Sequence, residues 1–218
     1  MSQGSITIGN NTALLVVDVQ NDFLPQGALA VPQGDEVIPV INRIAPLFEQ
    51  VVITQDWHPA GHLSFSSSHP GYRDYQMIEM PYGPQCLWPE HCVQGTHGAQ
   101  LSEAMNLPHA RLILRKGIHP SIDSYSAFLE ADRQTSTGLL AWLQAQGIDQ
   151  VMIAGLATDF CVAWTAIDAA QAGLKTWVIE DACRAIDIDG SLNRAKKAMQ
   201  DAGVIFLTSC QLHQLCEG

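Results

Sequence analysis

Three side chains that could carry out chemistry together lie just beyond short apolar runs of the sequence. These are the carboxylate of Asp18, the amine of Lys116 and the thiol of Cys161. A carboxylate can take the proton of a thiol, and a nearby cation can keep that carboxylate ionised. The three residue types together therefore predict covalent catalysis with Cys161 as the nucleophile.

Each of these residues also has an ordinary structural explanation. Cys161 lies near a predicted helix start, where free N–H groups and the helix dipole favour a thiolate, but free cysteines are more often buried core residues. Asp18 could cap the following segment, and Lys116 could be a solvated charge at a strand end. The functional interpretation depends on the three residues meeting in the fold.

A second group of residues suggests a metal site. Asp56 and His58 are two residues apart, so in an extended segment both side chains point to the same side and can share a metal ion. A third ligand has to come from another segment. The spacing alone does not choose among four further histidines, which are His62, His69, His91 and His97.

Six apolar runs predict strands that are buried on both faces of a sheet. They cover residues 13–17, 51–53, 112–114, 151–154, 177–179 and 204–207. Helix-length segments lie between them at residues 36–50, 136–146, 158–171 and 191–202. This alternation predicts an α/β fold, a three-layer sandwich with a mostly parallel central sheet flanked by helices. In such sheets ligands bind beyond the carboxyl ends of the strands, where the candidate residues lie.

We expect a single domain over residues 1–218. Residues 58–109 interrupt the alternation, because they show no clear period and are rich in His, Pro, Gly and aromatic residues. A loop-rich excursion of this length inside a compact domain is usually functional. We therefore expect this excursion to contribute to metal and substrate binding.

The overall composition argues against several classes of partner. The formal net charge of −11 opposes binding to nucleic acid or to an anionic membrane. Residues 1–11 have neither a basic nor an apolar stretch, so no signal peptide is expected, and no apolar run approaches the ~20 residues that span a bilayer. The 6 cysteines form no CxxC pair, which predicts free thiols in a reducing cytoplasm.

Seven segments of the chain carry a more specific signal. They are residues 18–23 (DVQNDF), 55–59 (QDWHP), 62–65 (HLSF), 87–93 (LWPEHCV), 116–117 (KG), 123–128 (DSYSAF) and 155–162 (GLATDFCV). In this order they resemble the nicotinamidases of the isochorismatase-like cysteine hydrolase superfamily. The resemblance implies that family's parallel-sheet α/β sandwich.

The resemblance also assigns roles to individual residues. It implies a catalytic triad of Asp18, Lys116 and Cys161. It implies metal ligation by Asp56, His58 and His91, and it leaves open whether His62 or Ser64 completes the metal shell.

Two further parts of the site follow from the same resemblance. A cis peptide bond between Leu156 and Ala157 is implied, and the oxyanion hole is assigned to the backbone N–H groups of Ala157 and Cys161. The aromatic box around the substrate ring maps onto Phe23, Trp88 and Tyr125, for which ordinary core packing is the alternative.

The expected activity is the hydrolysis of nicotinamide to nicotinate and ammonia through a cysteine thioester, with a metal ion on the pyridine nitrogen. The expected cofactor is one divalent metal ion, with zinc in first place and iron or manganese as alternatives. Pyrazinamide is an expected second substrate, and NAD salvage in the cytoplasm is the expected role. The partner is a small-molecule amide, no nucleic acid or membrane partner is expected, and a homo-oligomer is compatible with the sequence.

Three alternative functions stay open on the sequence alone. A related amidase of the superfamily could act on another small amide, such as a carbamoylated amine. A metallohydrolase could use the metal alone, with Cys161 in a structural role. A non-catalytic binding protein could use the same fold, and a test for ammonia release from nicotinamide would separate it from an enzyme.

Overall fold

A parallel sheet of six strands forms the centre of the fold. The computed structural model describes residues 8–216, with side chains up to Gln214. Its strands are β1 (Thr12–Val17), β2 (Gln50–Asp56), β3 (Met77–Met80), β4 (Gly83–Cys86), β5 (Leu112–Lys116), β6 (Gln150–Leu156), β7 (Lys175–Arg184) and β8 (Ile205–Leu207). The sheet has the order β5-β2-β1-β6-β7-β8 with every neighbouring pair parallel, whereas β3 and β4 form a separate antiparallel hairpin. The predicted parallel sheet is confirmed, and each predicted apolar run overlaps one of its strands.

Helices pack on both faces of this sheet. They are α1 (Val37–Ile44), α2 (Leu139–Ala145), α3 (Ala163–Gln171), α4 (Ser191–Asp201) and α5 (Ser209–Cys216). Successive residues of β1 enter opposite cores, because side chains alternate across a strand. Leu14 and Val16 pack in one core with Ile41 of α1, whereas Leu15 packs in the other core with Leu143 of α2. The predicted three-layer α/β sandwich is therefore confirmed.

The predicted helices over residues 36–50 and 158–171 differ most from the observed ones at their ends. The segment predicted as helical over residues 36–50 ends as an α-helix at Ile44 and continues only as a 3-10 turn at Ala45–Leu47. Pro46 lacks an N–H group and its ring crowds the preceding turn, so the prediction is wrong beyond this point. The predicted helix 158–171 starts with a π-helical turn, Thr158–Val162, before α3 begins.

The excursion at residues 58–109 contains the β3–β4 hairpin, which the sequence pattern did not predict. Each of these strands is only 4 residues long, and β4 includes Gly83 and Pro84, which are uncommon within strands. A single β3–β4 pair therefore gives too weak a signal to be recognised from the pattern.

Two predictions reach residues beyond the described part of the chain. Most of the segment tested for a signal peptide, residues 1–7, and the side chain of Cys216 lie outside it. The other cysteines are free, and they are Cys86, Cys92, Cys161, Cys183 and Cys210. Within residues 8–216, none of the helices has the length and apolar character needed to cross a bilayer.

Candidate active site

Four neighbouring strands bring the candidate residues to one edge of the sheet. Asp18 follows β1, Asp56 ends β2, Lys116 ends β5, and Cys161 lies in the turn beyond β6. Asp56 and Lys116 are directly paired across β2 and β5. Because the carboxyl ends of parallel strands meet at the same edge, the topology alone places these side chains together.

Lys116 is the centre of this group. Its side chain is fully buried, and Nζ lies 2.8 Å from Asp18 Oδ2 and 2.7 Å from Asp56 Oδ1. Nζ also donates a hydrogen bond to the carbonyl oxygen of Ser124 at 2.9 Å and lies 3.5 Å from Cys161 Sγ. The ammonium group therefore connects the predicted base with the predicted nucleophile.

Asp18 is fixed in place by Thr54 of the neighbouring strand β2. The Thr54 hydroxyl donates to Asp18 Oδ1 at 2.6 Å, and the Asp18 N–H donates to Thr54 Oγ1 at 3.1 Å. Asp18 has a φ of 48°, a left-handed conformation that is uncommon for residues other than glycine. The sequence analysis missed Thr54, since its role arises only from the pairing of two strands that are distant in the chain.

Burial controls the proton affinities of this group. It raises the pKa of the Asp18 carboxyl above its ordinary value, and the Lys116 ammonium opposes only part of the rise. Burial also opposes the charge of Lys116, yet Asp18 and Asp56 hold the pKa of the lysine well above its ordinary value. For Asp56 burial is outweighed by Lys116 and His58, which hold the pKa of this carboxyl well below its usual range. Asp18 is thus the carboxyl that more readily accepts a proton.

Cys161 lies in the π-helical turn that connects β6 to α3. The Leu156–Ala157 peptide bond before this turn is cis, as the resemblance implies. Burial raises the pKa of the Cys161 thiol well above its ordinary value, so the expected stabilisation of a thiolate by the helix start is outweighed. The thiol therefore needs a base, and a carboxylate oxygen of Asp18 lies within 4.8 Å of Sγ.

Asp56, His58 and His91 form a second buried group beside the lysine. Asp56 Oδ2 lies 3.4 Å from His58 Nε2 and 3.6 Å from His91 Nε2. Ligand atoms about 2.0–2.1 Å from a tetrahedral zinc ion are roughly 3.4 Å apart, so these spacings fit one metal ion between the three atoms. The structure thus places His91 beside Asp56 and His58, a choice that the spacing in the sequence did not allow.

The outer nitrogens of both imidazoles support the same interpretation. His58 Nδ1 lies 3.0 Å from the carbonyl oxygen of Gly117, and His91 Nδ1 lies 2.8 Å from that of Pro89. When each Nδ1–H donates to its carbonyl, each Nε2 keeps a free lone pair directed at the shared site. Metal-binding histidines are typically held in this way, so the residues present suit a divalent ion.

Gly117 makes the His58 contact possible. Its φ is 66°, and a Cβ atom there would lie 2.5 Å from His58 Cε1. A larger residue would therefore have to displace the ring that presents the metal-binding nitrogen, in addition to the strain of a left-handed backbone.

The remaining candidate histidines are engaged elsewhere. His62 Nδ1 lies 2.8 Å from Ser64 Oγ, and its Nε2 lies 2.8 Å from the carbonyl oxygen of His119. His69 Nε2 contacts the carbonyl oxygen of Leu63 at 2.8 Å. His97 Nε2 lies 3.3 Å from the Asn21 amide. In this arrangement both ring nitrogens of His62 already have hydrogen-bond partners.

A small cavity with aromatic walls lies above Cys161, Asp56 and His91. Its apolar walls include Phe23, Leu29, Trp88, Tyr125, Phe160 and Ile186. The Trp88 indole N–H donates to the Tyr125 hydroxyl at 2.8 Å, and the Trp88 and Phe160 rings meet edge to face with centroids 4.8 Å apart. The structure thus brings the three predicted aromatic residues to one cavity, together with three residues that the sequence analysis did not identify. A cavity lined mainly by apolar and aromatic side chains with a few polar groups is typical of a site for a small molecule.

Gln20 is a further supporting residue that the sequence analysis did not single out. Its side chain donates to the carbonyl oxygen of Asp56 at 2.8 Å and accepts from the Asp56 N–H at 2.7 Å. The Gln20 amide therefore continues the hydrogen-bonding pattern of a strand and fixes the backbone of Asp56. The carboxylate of Asp56 contacts Lys116 and is also a candidate metal ligand. In the sequence, only the place of Gln20 in the resembling segment 18–23 pointed to a role at the site.

Comparison with known proteins agrees with this geometry. The isochorismatase domain family matches residues 12–211. A nicotinamidase of Acinetobacter baylyi is 59% identical over 92% of this chain and 94% of its own. A nicotinamidase/pyrazinamidase structure from Acinetobacter baumannii is 56% identical and superposes with a TM-score of 0.93, covering 94% of this chain and 99% of its own. A pyrazinamidase of Pyrococcus horikoshii in complex with zinc is 34% identical, with a TM-score of 0.74 and coverage of 91% and 99%. The chain therefore belongs to the isochorismatase domain family, within its nicotinamidase group.

Proposed function

We propose that this protein is a nicotinamidase that hydrolyses nicotinamide to nicotinate and ammonia. The observation that carries the proposal is the position of Lys116 Nζ, 2.8 Å from Asp18 and 3.5 Å from Cys161, where Cys161 lines a cavity with aromatic walls. The 59% identity to a nicotinamidase supports the same substrate. Pyrazinamide, which has a similar ring, is proposed as a second substrate, and NAD salvage as the role.

The reaction begins with activation of the thiol. Asp18 accepts the proton of Cys161. The Lys116 ammonium stabilises the Asp18 carboxylate before the transfer and the Cys161 thiolate after it. The sulfur attacks the carboxamide carbon, and the electron pair of the C=O bond moves to the oxygen. Backbone N–H groups of Ala157 and Cys161 are assigned to this oxyanion.

Ammonia leaves in the second step. Protonated Asp18 gives its proton to the departing amine, the C–N bond breaks, and a thioester remains on Cys161. Asp18, which is again a base, then takes a proton from a water molecule that attacks the thioester carbon. Nicotinate is released, and the thiolate recovers its proton from Asp18, so that the enzyme returns to its starting state.

A divalent metal ion would be held by Asp56, His58 and His91. When bound, it supplies a Lewis-acid position for the pyridine nitrogen of the substrate. Zinc is the proposed ion, supported by the zinc complex of the Pyrococcus pyrazinamidase and by the nitrogen and carboxylate donors of this site. Iron and manganese are the alternatives. Neither His62 nor Ser64 is proposed as a direct ligand of the ion.

The aromatic residues of this chain hold the substrate ring. Phe23, Trp88 and Tyr125 line the cavity in which we place the ring, and the Trp88–Tyr125 hydrogen bond fixes two of these walls relative to each other. A ring held in this way keeps its carboxamide within reach of Cys161.

The proposal also covers the domain organisation, location and partners of the protein. We propose that residues 1–218 form a single domain whose excursion at 58–109 provides metal and substrate contacts, as His91 and Trp88 indicate. The net charge of −11 and the free cysteines support a cytoplasmic protein that binds neither nucleic acid nor membranes. A homo-oligomer is compatible with this proposal.

Release of ammonia from nicotinamide by the purified protein tests the proposed function directly. The expected result is turnover that depends on one bound metal ion per chain, measured by elemental analysis of the same preparation. A protein that carries the metal ion but releases no ammonia from nicotinamide would contradict the proposal. A related amidase would instead be active only on another small amide.

A further inference from the structure

Asp159 lies in the same turn as Cys161, and its carboxylate is buried although the proposed reaction does not use it. Oδ1 accepts a hydrogen bond from the Ile186 N–H at 3.1 Å, and Oδ2 accepts one from the Asp187 N–H at 2.8 Å. Oδ2 also accepts a hydrogen bond from the hydroxyl of Ser191. One carboxylate of the nucleophile turn thus receives two hydrogen bonds from the segment between β7 and α4 and a third from the first residue of α4.

The backbone of that segment depends on such support. Asp187, Asp189 and Gly190 have φ angles of 55°, 50° and 76°. A left-handed conformation is uncommon for non-glycine residues and persists only where the surroundings enforce it. The carboxylate of Asp159 also lies beside the first residue of α4, where the helix dipole favours a negative charge.

Ile186 connects this segment to the substrate cavity. Its side chain lines the cavity together with Ala157 and Cys161, and it packs against the apolar core on the α1 side of the sheet. The N–H group held by Asp159 therefore belongs to the residue whose side chain forms one cavity wall. Beyond the last paired residues of β6 and β7, Leu156 and Arg184, the buried carboxylate of Asp159 thus joins the nucleophile turn to this wall.

We propose that Asp159 is a positioning and specificity residue, which sets the distance between the nucleophile turn and the Ile186 wall and so determines how tightly the substrate ring is held. The inference rests on the proposed function, because the ring in question is that of nicotinamide. Asp159 acts through Ile186 rather than on the reacting atoms. Its effect is therefore on substrate binding more than on the chemical step.

Steady-state kinetics of four proteins test this proposal: the wild type, Asp159→Asn, Ile186→Ala and the double variant. Asparagine keeps the shape of Asp159, but its NH₂ group meets a buried donor, so at least one of the three hydrogen bonds is lost. We expect Asp159→Asn to raise KM for nicotinamide roughly tenfold, as the loss of a fitted apolar wall does, with kcat changed less than about twofold. Ile186→Ala should raise KM by a similar factor.

The double variant separates positioning from general damage. If Asp159 acts through Ile186, the KM of the double variant should be no higher than that of the weaker-binding single variant. Once Ile186 is replaced by alanine, the hydrogen bonds of Asp159 no longer position a side chain that contacts the substrate. Effects that multiply would overturn the proposal, and so would an Asp159→Asn variant with unchanged KM or with a loss confined to kcat.

Asp168→Asn provides a matched control. Asp168 is a buried aspartate of α3, but its carboxylate pairs with Arg133 and does not line the cavity. We expect a lower melting temperature and an unchanged KM, and an equal rise in KM would overturn the proposal. Calorimetry on the same proteins gives the dissociation constant of nicotinate. This constant compares binding at the substrate site among the variants without relying on turnover. A wild type that binds nicotinate but releases no ammonia would thus contradict the proposed function alone.

Discussion

Replacing Lys116 with methionine tests the electrostatics of the site most directly. The lysine side chain is fully buried, and its Nζ lies within 2.9 Å of Asp18 Oδ2, Asp56 Oδ1 and the carbonyl oxygen of Ser124. Methionine keeps much of the volume but leaves two buried carboxylates without their cation. Breaking a buried ion pair by removing one partner costs about 3–5 kcal/mol, a large part of the ~5–15 kcal/mol that stabilises a typical domain.

The expected result is a loss of both stability and activity. For a domain of this size each kcal/mol lowers Tm by roughly 2–4 °C, so we expect Tm to fall by about 6–20 °C for metal-free Lys116→Met. Turnover should be lost as well, because Asp18 without Lys116 retains its proton and no longer acts as a base. Chemical denaturation of the metal-free proteins measures the first effect, and ammonia release measures the second.

A double variant distinguishes the lost ion pair from poor packing of methionine. Lys116→Met combined with Asp18→Asn removes one of the two uncompensated charges, so it should recover part of the lost free energy of unfolding while remaining inactive. The deficit of Lys116→Met relative to wild type should also shrink as the pH falls. Burial raises the folded-state pKa of Asp18 above its unfolded value, so protonation relieves the unpaired charge. A loss of stability below about 1 kcal/mol, the value of a solvent-screened pair, would refute this reasoning.

Three further experiments address the nucleophile, the metal ion and the substrate. Cys161→Ala should lower kcat by roughly 10⁴-fold or more and keep one metal ion per chain by elemental analysis; near-normal activity would exclude covalent catalysis. His91→Ala should weaken metal binding by more than the roughly 10–100-fold that loss of a supporting residue costs, whereas the control His97→Ala should bind metal normally in a competition titration. Benzamide, which lacks the ring nitrogen, should show a kcat/KM about 10⁴-fold below that of nicotinamide, with pyrazinamide close to nicotinamide; equal values for benzamide and nicotinamide would mean that the metal does not recognise the ring.

The sequence predicts the sheet and the meeting of its strand ends because both depend on local signals. Strands buried on both faces are continuous apolar runs, and Asp18 and Lys116 lie at or next to the ends of such runs. The parallel arrangement then places them at one edge without further information. The choice of His91 came only from the resemblance, since the spacing from Asp56 and His58 did not decide among four candidate histidines.

Other features could not be predicted because they arise from contacts between distant segments. Thr54 supports Asp18 across a strand pair, and Ile186 reaches the cavity from a segment that follows a different strand. Neither residue has a local pattern that distinguishes it from ordinary core or loop positions. The raised pKa of the Cys161 thiol could likewise not be predicted, because the degree of burial that outweighs the helix dipole is a property of the complete fold.

The order of the strands also has a consequence for how the site is assembled during folding. β1 lies between β2 and β6, so the chain first builds outward through β2 and β5 and then returns to add β6 on the other side. The pairing of Val17 with Gly155 closes a loop that runs from residue 18 to residue 154, which is more than half of the chain, and such long-range pairings are entropically costly and slow. Asp56, His58, His91 and Lys116 all precede that step in the chain. The nucleophile is therefore joined to the metal ligands and to Lys116 only when this long-range pairing forms, so the complete site cannot assemble within either part of the chain alone.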